Sequence, residues 1–414
     1  MFARRAFTFI NATLPGVASP TTLRVSGAHI AASGEPPLAG DTLFDCGGDW
    51  LLPGLINAHD HLELNNFPRL KWREHYTNAR DWIADFQPRF KIDPALSGPM
   101  AVPFADRLFM GGLKNLLSGV TTVAHHNPLY APLKRRDFPV RVVQRYGWAH
   151  SLLMDGEDKV LASFRRTPAN RPWIIHLAEG VDGEAALELT RLDRLGCLRS
   201  NTIIVHGVGL TASDRELLLA KGAGLIWCPS SNLFMLGATA QVRELVAHGR
   251  VALGSDSRLS GGRDLLEELR VASAATGLAG SALLPLVTAH AARMLRLDGV
   301  GVLRPGALAD LLVLAAGKTL FESEEGAHDA RSVPGAGASS PSATGTSAGI
   351  SRSAVRLVMR AGRALYSDPG YAPTFAAGGT SAGRICVDGC EKLLERTQLE
   401  RMRRCSIQEP GVSL

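Results

Sequence analysis

The chain has 414 residues, of which 45% are hydrophobic and 20% charged, with a formal net charge of +6. It is long enough for one large core plus a satellite domain, and its composition is that of a globular protein. The basic residues are scattered, densest at Lys134-Arg135-Arg136 and at Arg401, Arg403 and Arg404, with no nucleic-acid motif beside them, which excludes nucleic acid as the main partner.

Residues 1–51 read as short strands, Phe7–Ile10, Thr22–Val25 and Leu43–Cys46, separated by Gly, Pro and Ser. They cannot enclose a core alone. A matching set near the other end, Asp310–Leu314, Ala354–Met359 and Arg363–Tyr366, predicts that both chain ends fold into one small β-sandwich domain. The first apolar run after Met1 is short and is broken by Asn11, a poor signal peptide, and no stretch is apolar enough for a bilayer span. The expected setting is the cytoplasm, with no membrane partner and with homo-oligomer formation left open. Six cysteines in a chain of this size set up no disulfide scaffold, and Cys386, Cys390 and Cys405 lack the fourth ligand of a structural metal site.

From 52 to 302 apolar runs alternate with helical stretches, the pattern of a parallel α/β fold. Candidate strands are Leu51–Ala58, Val120–Ala124, Gly147–Met154, Trp173–Leu177, Thr202–Val208, Gly224–Cys228 and Val251–Gly254. A (β/α)8 TIM-like barrel needs an eighth, expected in Phe138–Val143, and the short region there points to a distorted barrel. Ser213 is the expected cap of a helix over Asp214–Ala220, and a second helix is expected around Val242–Ala247. The excursion 62–118 carries Trp82, Ile83, Phe86 and Phe90 at helical spacing. That spacing favours packing of one helix face, ended by Pro88, over the shaping of a substrate pocket. Residues 303–375 return to the β domain and contain a Gly/Ser/Ala/Pro/Thr-rich stretch, 322–353, expected to be a flexible insertion dispensable for activity. Residues 376–414 read as a C-terminal tail, with a short charged helix from Cys390 to about Cys405, also expected to be dispensable.

The chemistry gathers at strand ends. Leu51–Ala58 runs into His59-Asp60-His61, and alternation along a strand puts the two imidazoles on one face. A bare H-x-H also describes two loop histidines. Further candidates close other apolar runs, however: His176 after Trp173-Ile174-Ile175, His206 after Ile203-Ile204-Val205, and Asp256 after Leu253-Gly254-Ser255. On parallel strands of one barrel these groups would converge on a single centre.

PGLINAHDH (53–61), GVTTV (119–123), HLAE (176–179), VHG (205–207), CPSSNLFMLG (228–237), ALGSDS (252–257) and the closing segment 288–314 together resemble the amidohydrolase superfamily. Within it they are closest to the cytosine deaminase and chlorohydrolase-like branch of heterocycle deaminases. The resemblance covers about residues 1–366. It implies metal ligands at His59, His61, His176 and Asp256, a proton shuttle at Glu179, and His206 beside the attacking water, which Asp256 also contacts. It implies one divalent metal, zinc or ferrous iron, since a second metal would want a strand-end lysine and the region offers only Lys159 within Gly156-Glu157-Asp158. Three neutral imidazoles and a carboxylate leave such an ion net positive and able to acidify water. His125, His126 and Glu63 are candidate substrate contacts at the pocket mouth. His29, His75, His150, His248, His290 and His328 have no ligand context, and structural or solvent roles are expected for them. The implied activity is hydrolytic deamination of a small nitrogen heterocycle. Opening of a cyclic amide or loss of another leaving group (C–N or C–halogen) is the alternative, and a non-catalytic metal-binding scaffold the third.

Overall fold

A computed structural model of the chain describes residues 6–317 and 350–414. Eight parallel strands carry the central part: β1 (Leu55–Asp60), β2 (Val120–His125), β3 (Arg141–Val142), β4 (Gly147–Ser151), β5 (Trp173–Leu177), β6 (Thr202–His206), β7 (Gly224–Trp227) and β8 (Val251–Leu253). They form two hydrogen-bonded runs, β1-β2-β3 and β4-β5-β6-β7-β8, giving a TIM-barrel-like α/β architecture. The expected eighth strand is only two residues long.

The strands are apolar on both faces because both faces are covered. Alternate residues divide between two clusters. Ile56, Ala58, Ala124, Ile174, Ile203, Val205, Ile226 and Ala252, from strands of both runs, pack together on the inner side. Leu55, Val123, Ile175, Ile204, Leu225, Val251 and Leu253 face the helices in the main core. Each fully buried Ile or Leu stabilises the fold by roughly 1.5–3 kcal/mol. Helix starts are capped by side chains: Asp182 accepts from the Ala185 amide, and Asp264 from those of Leu266 and Glu267. The expected Ser213 cap is corrected to Thr211, whose side chain and that of Asp214 form a reciprocal capping box over Ala212–Lys221.

The chain ends build two further sheets. One has the order His29–Ser33, Thr21–Ser26, Phe7–Ala12, Thr42–Asp45. The other runs Val412–Ser413, Ala382–Val387, Cys390–Glu395, Arg363–Ser367, Val355–Arg360, Leu311–Leu314, Trp50–Pro53. Phe7, Phe9 and Val25 from the first share a buried cluster with Leu51, Val313 and Met359 from the second. The single run expected over Leu51–Ala58 is therefore two strands. Trp50–Pro53 pairs with Leu311–Leu314, and after Gly54 the chain enters β1.

The expected tail is likewise corrected. Cys390 opens a strand, not a helix, and the helix occupies Arg396–Arg404, with Leu399 and Met402 buried in the main core. The insertion expected at 322–353 falls outside the described residues except at its end, where Ile350 and Arg352 are buried. No described helix is long and apolar enough to cross a membrane.

Candidate active site

The carboxyl ends of β1, β5 and β6 and the turn after β8 meet in one place. His59 near the end of β1 and His61 just beyond it have ring centroids 4.9 Å apart. His176 Nε2 lies 3.3 Å from His59 Nε2 and 3.4 Å from His61 Nε2. Asp256 Oδ1 is 3.9 Å from His59 Nε2 and 3.7 Å from His61 Nε2. Ligands about 2.0–2.1 Å from a tetrahedral ion stand about 3.4 Å from each other; His59, His61 and Asp256 form one group of metal-capable atoms at about this spacing, and His176 belongs to a second group that shares His59. Burial keeps the imidazoles of His59 and His176 neutral, holding both well below the usual histidine range, so no proton competes for their lone pairs.

The outer contacts aim these groups. His176 Nδ1 is 2.8 Å from the carbonyl of His150, which only accepts, so the proton sits on Nδ1 and Nε2 is bare. Asp256 Oδ2 accepts from the hydroxyls of Ser231 (2.8 Å) and Ser260 (2.9 Å), leaving Oδ1 toward the histidines. Burial pushes the Asp256 carboxyl up, but His61, His206 and these hydroxyls together hold it below the usual carboxylate range. Asp60, between His59 and His61, points the opposite way. It is 3.1 Å from the fully buried Lys114 and accepts from Asn65 and Asn115, each at 2.8 Å. Ser255, beside Asp256, bonds Lys114 at 3.2 Å, so one buried network ties both ligand-bearing strands to the helix Phe104–Leu117.

Three non-glycine residues here have left-handed backbone: Ala178 (φ 53), His206 (φ 76) and Asp256 (φ 51). Such strain collects where a side chain must be re-aimed at a strand end. The turn at Ala178 brings Glu179 back to the site that His176 faces. Glu179 Oε1 stands 3.5 Å from His206 Nε2. Burial, with Asp256 and Glu188 nearby, raises the Glu179 carboxyl well above its usual range, a group suited to carry a proton. Burial lowers the His206 imidazole to about 4.

These groups form the floor of a cavity of about 250 Å³. Trp82, Ile83, Phe86 and Phe90 line its wall, Trp82 stacked on Phe86 at 5.0 Å, so the helix face expected only to pack in fact bounds the cavity. Pro88 lies inside the last turn of that helix, Ala79–Arg89, and does not end it. His150, assigned no site role from sequence, also lines the cavity, as does Asn127. A signal for His150 was available: it sits near the carboxyl end of a barrel strand, β4.

The three candidate substrate contacts are not among the residues that line the cavity. His125, His126 and Glu63 are buried behind the ligands. His125 ends β2 with its ring toward Glu63 (3.8 Å), Glu63 accepts from Asn127, and His126 packs 4.2 Å from the His176 ring with Nε2 on the Ala149 carbonyl. Lys159 lies in the helix Glu157–Arg166, outside the ligand cluster.

The chain is similar to several known proteins. The profile of the amidohydrolase family matches residues 172–365. A 5-methylthioadenosine/S-adenosylhomocysteine deaminase of Haloarcula marismortui is 25% identical over 340 residues, 70% of this chain and 78% of that protein. The enzyme of that name from Pelotomaculum thermopropionicum is 36% identical over 157 residues, 34% of this chain and 36% of its own length. Among solved structures, a triazine hydrolase from Arthobacter aurescens superposes with a TM-score of 0.65 at 18% identity, covering 90% of this chain and 99% of that one. An adenosine deaminase from Xanthomonas campestris with bound zinc gives 0.65 at 18% identity, covering 86% and 92%.

Proposed function

We propose that this chain is a member of the amidohydrolase family, whose profile matches residues 172–365, and that it hydrolytically deaminates a small nitrogen heterocycle by means of one divalent metal ion, zinc in the first instance. The observation that carries the reading is Glu179 Oε1 at 3.5 Å from His206 Nε2, next to two groups of metal-capable atoms that share His59. His59, His61, His176 and Asp256 would hold the ion, which when bound supplies Lewis acidity and acidifies water.

The chain's own groups do the rest. Glu179 accepts a proton from the attacking water and delivers it to the leaving nitrogen, so that one C–O bond forms as one C–N bond breaks and ammonia departs. His206 Nε2 stabilises the negative charge that develops on oxygen. Trp82, Phe86, Met154 and Met235 supply apolar walls for the body of the heterocycle. No lysine or arginine is among the described lining residues, which favours an uncharged substrate. Ammonia and a carbonyl product need no partner beyond water.

Closure of β1–β8 into a complete barrel belongs to this reading. It is supported by the bond from the Asp256 amide to the His59 carbonyl (3.1 Å) at the ends of β8 and β1. A cytoplasmic setting, where free cysteines stay reduced, belongs to it too.

Purified zinc-loaded enzyme assayed for ammonia across neutral purine nucleosides, pterins, pyrimidines and aminotriazines should release one ammonia per substrate consumed. Substrate loss without ammonia would replace deamination by ring opening or by displacement of another leaving group. Inertness across the panel would return the scaffold reading.

A further inference from the structure

The described residues contain two overlapping sets of metal-capable groups, His59/His61/Asp256 and His59/His176/His206. Only an imidazole nitrogen without a proton can ligate, so the part played by His206 depends on where its proton sits. We propose that Asn232, held by Thr239 and Trp227, is a positioning residue that fixes the proton of His206 on Nε2, making His206 a hydrogen-bond donor in the reaction and not a metal ligand. The inference rests on the deaminase reading for its catalytic consequence and on geometry alone for the tautomer.

The direction of the chain is set at its far end. The indole N–H of Trp227 can only donate, and it lies 2.7 Å from Thr239 Oγ1. The Thr239 hydroxyl has one hydrogen of its own. Among the hydrogen bonds of the described residues its acceptor is Asn232 Oδ1, at 3.4 Å. The amide oxygen of Asn232 therefore faces Thr239, and its NH2 faces His206 Nδ1 at 2.9 Å. Nδ1 accepts. In a neutral ring the hydrogen is then on Nε2, the atom that stands 3.5 Å from Glu179 Oε1.

His176, on the neighbouring strand, is set the other way. Its ring stacks on that of His206 at 5.4 Å and 17°, yet its Nδ1 meets a backbone carbonyl and must donate. Two stacked histidines thus carry opposite tautomers because one meets an acceptor and the other a donor. The device is local in sequence: Trp227 ends β7, Asn232 lies in the helix Pro229–Leu236 that follows, and Thr239 comes just after it. Asn232 is fully buried and does not line the cavity, so it acts through His206.

The test is long-range proton–nitrogen NMR on zinc-loaded enzyme labelled with 15N in its imidazoles, the His206 signals assigned by their loss in His206→Gln. The wild type should show protonated Nε2 and bare Nδ1. Asn232→Asp replaces the donor by a carboxylate, and should move the proton to Nδ1. With a substrate identified from the panel above, kcat should then fall about 10²–10³-fold, the usual effect of losing one such donor, while KM stays within a few-fold. Asn232→Leu should lower kcat as well without installing the opposite tautomer. Wild-type His206 protonated on Nδ1 would overturn the proposal, as would unchanged kcat in a folded Asn232→Asp enzyme with inverted tautomer. Failure of the deaminase reading looks different: no ammonia from any substrate, with the tautomer still readable.

Discussion

At the scale of single residues, Glu179 and His176 divide labour that sequence spacing alone leaves merged. They lie three positions apart, and the left-handed turn at Ala178 turns both onto one site. Glu179→Gln keeps shape and metal but cannot take a proton, so turnover should fall by at least about 10²–10⁴-fold at unchanged metal content. His176→Ala should lose metal and activity together, and measuring both on the same samples separates the two roles. More than about a tenth of wild-type activity in Glu179→Gln would move the shuttle role to His206, since that loss falls short of the general acid–base range. A second buried carboxyl makes a pH prediction. Glu268 is fully buried; Oε1 accepts the Ser230 amide at 2.8 Å, Oε2 has no hydrogen-bond partner among the described residues, and burial raises its pKa to about 8. The folded state therefore holds a proton that the unfolded chain, near 4.5, releases. The stability this contributes is full below 4.5 and is lost as pH rises toward 8. Glu268→Gln removes that dependence. The melting temperature of wild type minus that of the variant should decline across this window, and a flat difference would show that Glu268 is charged when folded.

At the scale of elements, what could be read from sequence was whatever has a period or a motif. The apolar strands β2, β5, β6 and β7 announce themselves, and with β5 and β6 the histidines His176 and His206 near their ends. β3 does not, because two residues between Phe138 and Val143 carry no period. The helix Ala79–Arg89 has the apolar spacing of a packing face, and spacing cannot say whether the neighbour is core or an open cavity. The C-terminal segment misled for another reason: its buried groups are charged. Glu409 is 2% exposed, 2.8 Å from the fully buried Arg352 and 2.9 Å from Arg258 Nη1, while Arg352 also bonds the Pro410 carbonyl. Arg258 stands two residues after the ligand Asp256, so the last residues of the chain clamp the loop that carries it. Charged residues in sequence read as solvated, and only the partners reveal a buried network. Glu409→Gln removes the carboxylate shared by the buried Arg352, which keeps Asp388, and the half-buried Arg258, and breaking a buried pair typically costs up to about 3–5 kcal/mol. Chemical denaturation should show a loss of that order, together with faster zinc release to a chelator. A variant with wild-type stability and zinc retention would make the segment the dispensable tail that its composition suggests.

At the scale of the whole molecule, strands remote in sequence deliver their ends to one point, and the supports are as widely drawn as the ligands. Asp60 and Lys114 brace β1 against a helix, Ser255 joins the turn after β8 to the same pair, and the β domain gathers both chain ends beside them. That His59, His61, His176 and Asp256 come together was legible because strand alternation and strand ends are local rules. The braces were not, because Lys114 and Asn115 are ordinary helix residues until the fold sets them under the site. The proposed chemistry requires that four ligands make a single metal site on which hydrolysis depends. It is tested most directly by stripping the enzyme with a chelator and measuring ammonia release as zinc is added back. Activity should be absent at the start, rise linearly, and saturate at one zinc per chain. Saturation only at two equivalents, or turnover undiminished in the stripped enzyme, would contradict it.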